Sequence, residues 1–154
     1  MSTQATHADA ELILKLYDLR REPEIRKARN FLLTAFWPES ADDIVNLARA
    51  FPSQENAWFR QVGGYWDMAA SLVLHGAINE ELFLEPGCSG EMFFLFAKIQ
   101  PYLKEVREKM NSPQAFANIE KLATKTEQGR ERLKALQALQ ADFRKRRAEV
   151  AKAS

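Results

Sequence analysis

Residues Trp58–Gly76 read WFRQVGGYWDMAASLVLHG. Trp58, Val62, Trp66, Ala69 and Val73 recur at the spacing of one helix face. Phe59, Tyr65, Ala70, Leu72 and Leu74 extend the apolar surface most of the way round. A helix that is apolar on nearly every side belongs at the centre of a bundle. The polar remainder is a narrow stripe: Arg60, Gly64, Asp67, Ser71 and His75.

That stripe carries the candidate site. In a pocket, Arg60 would hold an anion, Asp67 would orient or abstract a proton, and His75 would titrate near neutral pH. Gly63 and Gly64 would let a ligand or another backbone approach closely. On the alternative reading the stripe faces solvent, or Arg60 and Asp67 pair with neighbouring helices and the glycines serve tight packing. The residues alone leave both open.

Working outward, helical spacing continues in both directions, and no stretch alternates as a strand does. A first helix is expected from Asp9, burying Leu12, Ile13, Leu16 and Leu19, after a disordered segment 1–8. Pro23 suits the first turn of a second helix that buries Ile25, Ala28, Leu32, Ala35 and Phe36. Ser40 caps a third with Ile44, Leu47, Ala48 and Phe51 inward, and Ser53 caps the central helix. Asn79–Leu84 reads as a short helix and Glu85–Gly90 as a loop. A helix over Glu91–Met110 buries Met92, Leu95, Phe96, Ile99, Leu103, Val106 and Met110, with a kink at Pro101. Ser112-Pro113 reads as the cap and first turn of the next helix, and Thr126 as the cap of the last. The fold class is therefore all-α: a single-domain bundle of six to eight helices over 9–124, with a long basic amphipathic helix over 125–154.

Composition narrows the function. The 154 residues carry net charge +1, yet residues 125–154 hold nine Lys/Arg against four Asp/Glu. Such a tail can meet nucleic acid or an anionic membrane. Glu131, Asp142 and Glu149 dilute it, which argues against nucleic acid as a partner. Leu133, Leu136, Leu139 and Phe143 need a surface, on the bundle or on a second copy. Forcing a heptad puts Gln140 and Arg147 in the seam, so a long coiled coil is disfavoured. A homodimer through this helix is the expected assembly.

Cys88 forms no intramolecular disulfide, being the one cysteine. With no signal-type apolar segment at the start, the cytoplasm is the expected location. No apolar run approaches the length of a transmembrane helix. Gly87-Cys88-Ser89-Gly90 does not match the nucleophile elbow G-x-S-x-G, and the role of Cys88 stays unassigned. His7, His75 and Cys88 are too few for a structural zinc, and the residue three before His75 is Leu72, which excludes a Glu-x-x-His di-iron bundle. Glycine-rich phosphate loops are absent. Hence no catalytic residue, metal or cofactor is assigned. Arg20-Arg-Glu-Pro-Glu-Ile-Arg-Lys-Ala-Arg29 offers guanidinium donors for phosphate, although Glu22 and Glu24 can neutralise it on a solvated face.

Three segments resemble a family of all-helical bacterial domains of unknown function: LYDLRREPEIRKAR (16–29), RQVGGYWDMAASLVLHGAINEELF (60–83) and FLFAKIQPYLKEVRE (94–108). The resemblance spans residues 10–124 and implies the fold and a bacterial origin, with no activity attached. The expected function is thus a non-enzymatic helical interaction or regulatory module, working by self-association or on a protein partner. The alternatives are a small-molecule or enzymatic pocket at Arg60, Asp67 and His75, and surface contact through the basic tail.

Overall fold

The computed structural model describes residues 3–154. Nine α-helices follow one another among them: α1 (His7–Leu19), α2 (Pro23–Asn30), α3 (Ala41–Arg49), α4 (Gln54–Leu74), α5 (Glu80–Phe83), α6 (Pro86–Ile99), α7 (Leu103–Met110), α8 (Ala117–Thr124) and α9 (Glu127–Ala153). All but the single turn α5 have eight residues or more, and there is no strand among the described residues. The all-α bundle with a long C-terminal helix is therefore what the chain forms.

Helix α4 is central, packed by α8, α2 and α3, while α6 lies against α9 and touches α8. Trp66, Phe96, Ile99 and Leu103 are buried as expected, with Phe83, Phe93 and Met92 beside them. Trp58 is only partly buried and packs on Phe31, ring centroids 5.5 Å apart. The caps anticipated at Ser40, Ser53 and Thr126 each accept a backbone N–H of the first turn. Gly76, at φ 77°, ends α4 in a conformation that costs glycine nothing. Pro101 splits the long sixth helix into α6 and α7 through a 3-10 turn, Gln100–Tyr102.

Other boundaries differ from expectation. Helix α1 begins at His7 because Thr6 caps it; Asp9 is the third residue of a reciprocal capping box. Of its four apolar positions only Leu16 is buried, whereas Leu12 and Leu19 remain 38% and 46% exposed. Helix α2 does not continue to Phe36: Phe31–Ala35 form a π turn, Ala35 is exposed and Phe36 is extended. Phe51 lies outside α3 and is 75% exposed. Pro86 starts α6, so Gly87–Gly90 form its first turn, where a fixed proline φ outweighs two glycines. Ser112-Pro113 does not open α8, which starts four residues later. The apolar stripe of α9 packs on its own bundle through Leu133 and Leu136, and Phe143 meets Trp37 edge to face. Leu139 is 44% exposed, and from Lys145 onward the helix is exposed.

Candidate functional site

Arg60 and Asp67 come together on one wall of a cavity of about 320 Å³ between α3, α4, α7 and the Ser112–Phe116 segment. His75 does not line it; it is the C-cap of α4, exposed, with Nδ1 2.8 Å from the Ser71 carbonyl. Eight residues of helix separate it from Asp67, about 12 Å of rise.

Asp67 is occupied by structure. Oδ1 accepts the backbone N–H groups of Asn118 (3.1 Å) and Ile119 (3.3 Å), and Oδ2 accepts Asn118 Nδ2 (2.8 Å). Helix α8 opens on Phe116 in the left-handed region, with no capping side chain of its own. Asp67 supplies that cap from α4, and its charge suits the helix N-terminus. Gly63 clears space for the Phe116 ring, since a Cβ there would stand 3.3 Å from it. Arg60 donates to Asn56 Oδ1 at 2.9 Å and carries its guanidinium out over Phe51. Both Asp67 oxygens thus accept N–H donors from the start of α8.

A second constellation joins two arginines of the 20–29 cluster to Glu91 and Trp66, a pairing that the sequence reading did not single out. Helix α6 presents Glu91 inward, where Arg29 Nε and Nη2 each reach Oε2 at 2.7 Å and Trp66 Nε1 donates to Oε1 at 3.2 Å. Glu91 in turn raises the Arg29 pKa. Arg20 is 7% exposed and stands 3.8 Å from Glu91 Oε2. Its guanidinium is stacked near Tyr17 (4.8 Å) and Trp66 (5.2 Å), and its buried Nε has no hydrogen-bond partner among the described residues. Tyr65 donates to the Leu16 carbonyl, and burial pushes its hydroxyl up to about 12. Arg20 borders a cavity of about 240 Å³ under α1, walled by Ile13, Leu16, Tyr17, Tyr65, Trp66 and Phe83, with half-buried Cys88 at its edge.

The expected neutralisation of the 20–29 cluster by Glu22 and Glu24 is thus only partial. Lys27 pairs with Glu24 at 2.7 Å on the surface, and Glu22 caps α2, but Arg20 and Arg29 turn inward. A signal for this was present: Arg20 continues the Ile13–Leu16 register of α1.

Lys98, also on α6, is fully buried. Its ammonium donates to the carbonyls of Leu32 (2.7 Å), Leu33 (3.1 Å) and Phe36 (2.8 Å), the groups that the π turn leaves without helical partners. Burial, with Arg144 and Arg147 nearby, pushes it down to about 7. An ammonium has three donors, and all three are used, so this lysine locks the end of α2 to α6.

Among the described residues, no three His, Cys, Asp or Glu side chains are grouped to hold a metal, and no helix is long and apolar enough to cross a membrane. No curated protein and no solved structure matches the chain. The sequence model of a domain of unknown function, DUF4760, matches residues 5–126. That span runs from the cap of α1 through α8, and the chain belongs to this family.

Proposed function

We propose that this chain is a non-enzymatic helical interaction module that works by self-association along α1. The observation that carries this reading is the incomplete burial of that helix. Its apolar arc is wider than the strip resting on the bundle, leaving Leu12 and Leu19 on one flank and Leu14 and Tyr17, 66% and 54% exposed, on the other. Apolar exposure along both flanks of one helix marks a contact surface. Leu12 and Leu19 are two turns apart, so an antiparallel second copy places Leu12 of one chain opposite Leu19 of the other, an isologous pairing. Helix α9, by contrast, has most of its stripe covered already, which moves the favoured interface from α9 to α1.

Sedimentation equilibrium tests this. The wild-type chain is expected to dimerise, and the Leu12→Arg/Leu19→Arg variant to be monomeric with the same helical circular dichroism. A monomeric wild type at high concentration would end the proposal.

A further inference from the structure

The cavity beneath α1 holds a charge surplus. Arg20, Arg29 and Glu91 sum to one net positive charge, and Glu91 is already saturated by Arg29 and Trp66. Arg20 therefore shares its counter-charge with Arg29: its Nη1 stands 3.8 Å from Glu91 Oε2, an ion pair too long to be a hydrogen bond. Tyr17 and Trp66 lie against the guanidinium faces. The guanidinium lines the cavity with its buried Nε without an acceptor, so its hydrogen-bonding capacity is not used up by the protein. Two mostly buried cations that share one carboxylate are costly unless a further anion joins them.

The walls specify the rest of that partner. Ile13, Leu16, Trp66, Phe83 and the two tyrosine rings make an apolar, largely aromatic enclosure. Its volume, about 240 Å³, is below the usual ~300–1,000 Å³ of drug-sized sites, so the occupant is metabolite-sized. A monoanion would bring the cluster to neutrality; a dianionic phosphate ester would overshoot it in a place where excess charge is penalised.

We propose that this cavity binds a small organic carboxylate with a planar or branched apolar body, its carboxylate forked onto Arg20 and its body against Trp66 and Phe83. Tyr17 and Leu14, both exposed, border the entrance. Tyr65, held by the Leu16 carbonyl, shapes the wall as a neutral phenol. The site is separate from the Leu12/Leu19 flank, since neither of those side chains lines it.

The test titrates benzoate, phenylacetate and isocaproate into the full chain, following the Trp66 indole N–H by NMR and affinity by calorimetry. At least one acid is expected to bind with Kd below about 1 mM. Phenethyl alcohol, the neutral counterpart of phenylacetate, should bind about tenfold or more weakly, because a hydrogen bond to a charged group is worth about 1.5–3 kcal/mol. Phenyl phosphate should bind less well than the carboxylate of the same ring. Arg20→Gln should abolish the preference for acid over alcohol. If that variant does not fold, Cys88→Phe, which fills the cavity from its edge and leaves Arg20 in place, should lose binding. Absence of binding by all three acids, equal binding of acid and alcohol, or an unmoved Trp66 indole would overturn the proposal.

Discussion

The Lys98 ammonium lies 3.9 Å from the centre of the Trp37 ring, and Trp37 also receives Arg144 and Arg147 at 5.7 and 5.3 Å. Three cations thus surround one indole, which sits edge-on to Phe94 and Phe143. Only Lys98 among them is fully buried.

Replacing Lys98 tests its part as a cap. Lys98→Met keeps the length and loses all three donors, so the Leu32, Leu33 and Phe36 carbonyls lose their charged partner. Relief of the buried charge offsets some of the loss, and chemical denaturation should show a net cost of about 2–4 kcal/mol. The pH dependence has a definite sign. The folded value near 7 lies below the ordinary 10.5, so between them the unfolded chain binds more protons. Wild-type stability relative to Lys98→Met should therefore rise as pH goes from about 7 toward 10.5, and level off below 7 where both states hold the proton. Parallel curves across that range would show that Lys98 stays charged throughout.

Asp67 separates a structural role from a chemical one. Asp67→Ala removes the cap of α8 and should cost about 1–2 kcal/mol. Asp67→Asn retains the acceptor for the Asn118 and Ile119 N–H groups and should cost less. Equal losses in thermal melts of the two variants would mean that the charge, not the cap, is what α8 needs.

Glu91 holds two arginines. Glu91→Gln keeps the shape but leaves Arg20 and Arg29 without a counter-charge in a mostly buried site. Breaking such an arrangement costs about 3–5 kcal/mol. A loss under about 1 kcal/mol in urea denaturation would place these charges in effective contact with solvent.

Gly129 gives a prediction whose sign is opposite to that of helix propensity. It lies in the first turn of α9, where exchanging glycine for alanine ordinarily gains about 1 kcal/mol. Here a Cβ would stand 2.3 Å from the Ala123 carbonyl oxygen, a backbone atom that cannot swing away. Gly129→Ala should lower stability by about 1–3 kcal/mol. An increase in Tm would mean that the α8–α9 corner is looser than its geometry indicates.

Much of the fold was legible because apolar spacing reports burial directly. Helices α4 and α6 and the breaks at Gly76 and Pro101 follow from residues that act on their own neighbours. The features that escaped depend on partners distant in the chain. Asp67 stood out within a polar stripe, yet nothing local says that its oxygens meet α8, 51 positions away. Lys98 and Glu91 are polar interruptions in a helix whose other faces are apolar, and such interruptions ordinarily mark the wet side. Their partners, the π turn and the 20–29 arginines, arise from how α2 packs on α4 and brings its π turn against α6. Phe51 and Leu12 failed in the other direction: their spacing was right, but the bundle extends no surface to cover them.

Helix α1 is fastened at its two ends more than along its middle. Asp9 accepts the Asn79 N–H at 2.7 Å, and Leu16 with Arg20 anchors the far end through Tyr65 and the Glu91 cluster. Between these points it spans a cavity. Detachment of such a strap exposes little buried surface, so it should occur without unfolding the core. Its backbone amides should then exchange with deuterium well before those of α4 and α6, and a molecule filling the space beneath should slow the exchange of α1 while leaving the central helices unchanged.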